Sequence, residues 1–242
     1  MKERPILFSG PLVRAILDGR KTQTRRVIKH PPPDDVAPIS VSRYHPTIID
    51  RHGDEAPGAE IFGASSDDGE WGCKSPFGEP GDRLWVRETH IAYGRWETRF
   101  SEKKGRDEWH FVDMTLQTGR EYRYDGAVPN AKRGGATPAW WRRPSIFMPR
   151  AASRTLLEVT GVRVERLQSI SENDAIAEGI EPFYTDDPDL QEMWRDYSEA
   201  GMAVGNPIGS FMTLWDSINA GAGTGWNANP WIWVVEFRRI ER

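Results

Sequence analysis

Gly19-Arg20-Lys21-Thr22-Gln23-Thr24-Arg25-Arg26, or GRKTQTRR, joins a short apolar helix to an extended basic segment, and the other motifs of the chain are read relative to that junction. The helix is predicted over Pro11 to Asp18, where Leu12, Val13, Ala15, Ile16 and Leu17 give one side that can be buried. Pro11 suits a first helical position, and Gly19 suits the left-handed residue that ends a helix. In the extended segment that follows, side chains alternate. Thr22, Thr24 and Arg26 project to one face and Lys21, Gln23 and Arg25 to the other, unless a kink at the helix exit brings Lys21 beside Thr24.

A threonine hydroxyl is a weak nucleophile at neutral pH and becomes useful when a neighbouring base takes its proton. Lysine can be that base when burial or nearby cations lower its pKa, and Arg20, Arg25 and Arg26 crowd Lys21. Read without that chemistry, the same residues make a solvated strand edge or a phosphate-binding surface.

The chain has 242 residues, long enough for one large domain or two small ones with a substantial core. It is 38% hydrophobic and 28% charged, a globular composition, and its 11 Trp supply large anchors. A net charge of -4 gives no global signal for nucleic acid, so any such site comes from local clusters such as Arg20, Lys21, Arg25, Arg26 and Lys29. The single cysteine, Cys73, excludes an internal disulfide framework and suits a reducing compartment. No apolar run approaches a membrane span and no signal-peptide core opens the chain, so a cytoplasmic location with no membrane partner is expected. The five histidines show no ligand spacing, so no metal site is expected.

Pro5 to Phe8 reads as a short buried strand. Residues 30–80 read as an insertion of loops and short hairpins, with a weak strand over Ile39 to Ser42. After the turn Glu79-Pro80-Gly81-Asp82, RLWVRETH (Arg83 to His90) reads as a strand with Leu84, Val86 and Glu88 on one face. Glu88 is then either a partnered buried carboxylate or lies beyond the strand in solvent. Residues 108–124 suggest a hairpin turning at Gln117-Thr118-Gly119. Trp140, Trp141, Arg142 and Arg143 either grip bases and phosphates or anchor a loop.

Thr155 to Leu167 is the clearest strand, with a bulge at Gly161. Ser171 and Asp174 resemble a capping box for a helix that stops at Gly179. That places Glu178 at the helix C-terminus, against the dipole, where it needs a cation such as Lys21 or else is exposed. A helix is expected near Leu190 to Ala200, another over Phe211 to Ile218 with Phe211, Leu214, Trp215 and Ile218 in the core, and a closing strand over Trp231 to Arg239. GAGTG, residues 221–225, lacks the lysine of a phosphate loop and reads as a connection.

GRKTQTRR after a short helix, PGDRLWVRE, ISENDAIAEGI and IWVVEF, in that order, resemble the ASCH domains, of the phage or prophage type. The resemblance implies an α+β fold, a PUA-like mixed β-barrel flanked by helices, in a single domain over 1–242 with insertions at about 30–78, 95–145 and 182–210.

At the motif the chain is similar to the small bacterial amidohydrolases that act on N4-acetylcytidine, whose Lys-Thr-x-Thr-x-Arg pattern is met by Lys21, Thr22, Thr24 and Arg26. This implies Lys21, Thr24 and Glu178 as catalytic residues, with Glu172 and Glu88 as other possible acids, and Arg26, Arg20, Thr22 and Glu88 around the substrate. It implies no cofactor. The expected partner is a modified cytidine nucleoside, hydrolysed at its N4 amide; the alternative is RNA, bound or cleaved by the same module.

Overall fold

The computed structural model of the protein describes residues 1–184, 193–198, 201 and 203–241. In order, the chain forms β1 (Glu3–Leu7), α1 (Gly10–Leu17), β2 (Gln23–Val27), β3 (Ile39–Tyr44), β4 (Thr47–Ile49), β5 (Glu55–Pro57), β6 (Ile61–Ser66) and β7 (Gly72–Lys74). There follow β8 (Arg83–Arg87), β9 (His90–Ser101), β10 (Arg106–Asp113), β11 (Ala139–Arg143) and β12 (Leu156–Arg166). The last part holds α2 (Glu172–Ala177), β13 (Trp194–Arg195), β14 (Ala203–Val204), α3 (Pro207–Asn219) and β15 (Trp231–Ile240). This is a sheet-dominated α+β chain, as expected, and among the described residues its strands form open sheets and no closed barrel.

The chain divides into two compact units, one of Met1–Arg4, Arg14–Leu84 and Thr155–Arg242, the other of Pro5–Val13 and Trp85–Arg154. The centre of the five-stranded sheet, whose order is β1-β8-β12-β15-β2, lies in the first unit. There β12 and β15 pair antiparallel along their whole length, with a bulge between Val159 and Gly161. β15 is buried on both faces. Ile232 and Val234 pack with Leu167, Ile170, Ala175, Phe211 and Trp215, while Trp233, Val235 and Phe237 are buried on the other side. Each such side chain contributes about 1.5–3 kcal/mol by leaving water, which makes β15 the spine on which β2 is laid as an edge strand.

In the second unit β9 is the central strand, paired antiparallel with β10 and β11. The hairpin turns at residues 102–105, where Gly105 has φ +62°, and not at Gln117-Thr118-Gly119, which instead closes a single 3-10 turn. The strand begun at Arg83 ends at Arg87, one residue short of Glu88. That carboxylate is nevertheless buried, accepting from Arg154 Nε and Nη2 at 2.9 and 3.0 Å.

Two helix expectations need correction. Ile218 is 55% exposed, because the last turn of α3 extends past the surface that Phe211 and Trp215 cover. Of the helix expected near 190–200, Trp194 and Arg195 form a strand with Val204 and Ala203, and residues 190–192, 199 and 200 lie outside the described residues.

Candidate active site

α1 leaves Gly19 in the left-handed region at φ +76°, and the backbone N–H groups of Arg20 and Lys21 both donate to Ala15 O. The chain then passes between the end of α2 and β15: Thr22 N–H donates to Ala177 O at 2.9 Å, and Phe237 N–H donates to Thr22 O at 2.8 Å. α2 begins with the Ser171 hydroxyl accepting from Asp174 N–H at 3.1 Å and stops at Gly179, φ +85°. A Cβ on Gly179 would lie 2.8 Å from Lys21 Cβ and 2.9 Å from Ala15 Cβ, so the glycine serves both the turn and the close approach of GRKT to α2.

That approach assembles a buried charge network. Lys21 Nζ donates to Glu178 Oε2 at 2.6 Å and to Glu178 O at 2.8 Å. Arg25 donates to Glu178 Oε1 at 3.2 Å and to Glu165 Oε1 at 2.9 Å, and lies 3.3 Å from Asp174 Oδ2. Gln23 Nε2 donates to Asp174 O and Oδ1 at 2.6 and 3.0 Å. Arg163 joins Glu165 and Asp174, each at 3.1 Å, and also pairs with Glu236. Lys21, Arg25 and Glu178 are each at most 4% exposed, so every charge here depends on its partners. Burial, first of all, lowers the Lys21 pKa from its ordinary value; Glu178 opposes the shift and Arg26 and Arg25 add to it. Burial pushes the Asp174 carboxyl up, but the Gln23 amide bond, Arg25 and Arg163 together hold it below its ordinary value.

Of the expected catalytic residues, Lys21 and Glu178 meet. Thr24 is buried, but it stands opposite Val235 in the sheet register, while its neighbours Gln23 and Arg25 point to α2. The threonine therefore occupies the other face of β2 from the Lys21–Glu178 pair, as pleating dictates.

Arg20 donates to Gly179 O at 3.2 Å and pairs with Asp18 at 3.3 Å, so it clasps the end of α2. The Thr22 side chain is exposed. Glu172 is exposed in the first turn of α2, and Glu88 is held by Arg154 in the second unit, which leaves Glu178 as the acid at Lys21. Gln23, Arg25, Glu165 and Asp174 join one network that no single motif of the sequence marks. The signals were the Lys21, Gln23, Arg25 alternation and the four-residue spacing of Asp174 and Glu178 on one helix face.

Beside β2 lies a cavity of about 480 Å³ lined by Arg25, Arg26, Lys29, Cys73, Phe77 and Trp233, among others. Arg26 and Trp233 are register partners on the Thr24 face, and burial lowers the Arg26 pKa, opposed by Glu178. Burial pushes the Cys73 thiol up, which keeps it protonated at neutral pH. Among the described residues no three His, Cys, Asp or Glu side chains gather as metal ligands, and no helix is long and apolar enough to cross a membrane. Comparison of the chain with protein-family models, curated proteins and solved structures returns no match.

Proposed function

We propose that the first unit is an amide hydrolase of the PUA-like, ASCH type, acting on N4-acetylcytidine or a related N4-acylated cytosine nucleoside. The observation that carries the reading is the buried Lys21–Glu178 contact of 2.6 Å at the glycine exit of α1, the pairing that the motif resemblance implies. A desolvated lysine whose pKa is lowered gives up its proton more readily than an exposed one, which suits it to proton transfer. The adjoining cavity of about 480 Å³ falls within the range of roughly 300–1,000 Å³ typical of small-ligand sites, and its lining includes the half-buried Phe77 ring, which could meet a base.

In the proposed reaction, Lys21 takes the proton of the Thr24 hydroxyl and Thr24 Oγ1 bonds to the acyl carbon. The C–N bond breaks as the proton passes to N4, and cytidine leaves. Water then attacks the acyl-threonine, giving its proton to Lys21, and acetic acid departs as Thr24 recovers its hydrogen. In this reading Glu178 keeps Lys21 in place, and Arg26, which shares the Thr24 face, stabilises the oxyanion. Lys21 precedes β2 and Thr24 faces away from α2 within it, so this reading requires the proton to pass around the free edge of β2.

The test is release of cytidine from N4-acetylcytidine by wild type, Lys21→Ala, Thr24→Ala and Glu178→Gln. Loss of about 10²–10⁴-fold in kcat is expected for Lys21→Ala, and trapped acyl-protein in wild type but not in Thr24→Ala. Retained turnover in Thr24→Ala would transfer the attack to water, and no release by folded wild type would sink the hydrolase reading altogether.

A further inference from the structure

The second unit holds a cavity of about 770 Å³ over one face of its three-stranded sheet. The register puts Arg143 opposite His90, Trp141 opposite Ala92, Phe111 opposite Trp96 and Trp109 opposite Thr98. Alternation along β9 therefore gathers Trp96, Trp109, Phe111, Trp141 and Arg143 on a single face, and all of them line the cavity. The neighbouring Trp140 points the other way, against Tyr93 at 5.4 Å.

The charges of this cavity are unbalanced. Arg143 is 9% exposed, and its guanidinium carbon lies 4.6 Å from the ring centroids of Trp96 and Phe111 and 4.7 Å from that of Phe147. Arg133 stands over the same Trp96 ring at 4.5 Å. Among the described residues no carboxylate pairs with Arg143 or with Arg133. Asp113, the acid that lines the cavity, instead accepts from the Tyr122 hydroxyl and from Thr115 N–H, each at 2.9 Å. Burial, then Arg133, lowers the Arg143 pKa, with Asp113 opposing. The indole N–H of Trp96 is also buried without an acceptor. Rings satisfy the face of a guanidinium but not its N–H edge, and a buried donor without an acceptor is costly. Two cations thus stand at one space without an ion-pair partner among the described residues, while Trp109 (45% exposed) and Phe147 (56% exposed) leave ring surface open beside it.

We propose that this cavity binds a nucleoside phosphate, with the phosphate between Arg133 and Arg143 and the base against the open rings of Trp109 and Phe147. Two guanidiniums suit a dianion that can be gripped on several oxygens, and the volume exceeds what an inorganic anion needs. The phosphate and base have two sources, a free nucleotide or a single strand whose next residues leave through the mouth of the cavity. The proposal does not rest on the reaction at Lys21.

Calorimetric titration of the full chain with cytidine 5′-monophosphate, cytidine, inorganic phosphate and a single-stranded pentacytidylate tests it. Cytidine 5′-monophosphate is expected to bind about tenfold or more tighter than either cytidine or phosphate. Arg133→Gln and Trp109→Ala, both at exposed positions, are each expected to weaken it by about tenfold without moving the thermal midpoint. Arg143→Gln serves as a third variant if it folds. Tighter binding of the pentanucleotide identifies a strand as the source, and equal binding a free nucleotide. The proposal is overturned if no probe binds folded wild type, if phosphate alone binds as well as the nucleotide, or if neither Arg133→Gln nor Trp109→Ala changes the affinity, which would put the ligand elsewhere in the chain.

Discussion

Two faces of β-sheet in this molecule carry buried arginine, and they treat it in opposite ways. On the α2 face of β2 and β15, Arg25 meets Glu178, Glu165 and Asp174, and Arg163 meets Glu165, Asp174 and Glu236. On the cavity face of β9, Arg143 meets three rings and, among the described residues, no carboxylate. The first arrangement is closed: its charges are neutralised within the fold, and what it fixes is the position of Lys21 and Glu178. The second is open, and a missing anion is what it has to offer. Burial alone does not separate the two, since Arg25 is 3% and Arg143 9% exposed; the partners do.

The largest effect expected from this contrast comes from removing each cation with little change of volume. Arg25→Met leaves three carboxylates short of a partner beneath α2 and is expected to destabilise the protein by about 3–5 kcal/mol. Arg143→Met removes a charge that makes no ion pair among the described residues, and relief of its burial roughly offsets the lost ring contacts, for a net change within about 1 kcal/mol. Urea unfolding of both variants measures the difference. Equal losses would make Arg143 a structural cation like Arg25 and dissolve the distinction.

A smaller effect sharpens the comparison within the second unit. Glu88 is buried and takes both of its bonds from Arg154, so Glu88→Gln weakens a charge-assisted pair and is expected to cost about 1–3 kcal/mol. A loss of that size beside a near-neutral Arg143→Met would show that this unit does depend on ion pairs where it makes them. If Glu88→Gln is silent too, the neutrality of Arg143→Met says nothing about a ligand.

Much of the first site was legible because local rules set it. The helix exit at Gly19, the alternation of Lys21, Gln23 and Arg25, the bulge beside Gly161, the Ser171 cap and the stop at Gly179 each follow from a few adjacent residues. Thr24 is held in the ladder opposite Val235, so pleating turns it away from the face that Gln23 and Arg25 present to α2. The hairpin was misplaced because Gly105 and Gly119 both take positive φ, one in a hairpin turn and one after a 3-10 turn, and glycine marks either alike. The cavity of the second unit was beyond local reading. Trp140 and Trp141 stand out together in the sequence, yet only Trp141 lines it, and its companions Trp96 and Phe111 arrive through a register between distant residues.

The smallest effect concerns the protonation of Lys21, which belongs to both the closed network and the proposed chemistry. Burial puts its folded-state pKa below the ordinary 10.5 of the unfolded chain, so between those two values the unfolded chain binds more protons and stability rises with pH. Below the folded-state value both forms are protonated and the penalty is constant; above 10.5 both are neutral and it is gone. Lys21→Met removes the group, so the stability of wild type relative to Lys21→Met is expected to climb as pH rises through that window, by at most about 1.4 kcal/mol per pH unit. Glu178→Gln deletes the charge that opposes the shift, which lowers the folded-state value further and starts the climb at lower pH. Urea midpoints of wild type, Lys21→Met, Glu178→Gln and the double variant, taken from about pH 7 to about pH 10, read both slopes. A relative stability that stays flat across that range would mean an ordinary lysine held in a salt bridge, and would remove the proton acceptor from the hydrolase proposal even if the Lys21–Glu178 contact stands.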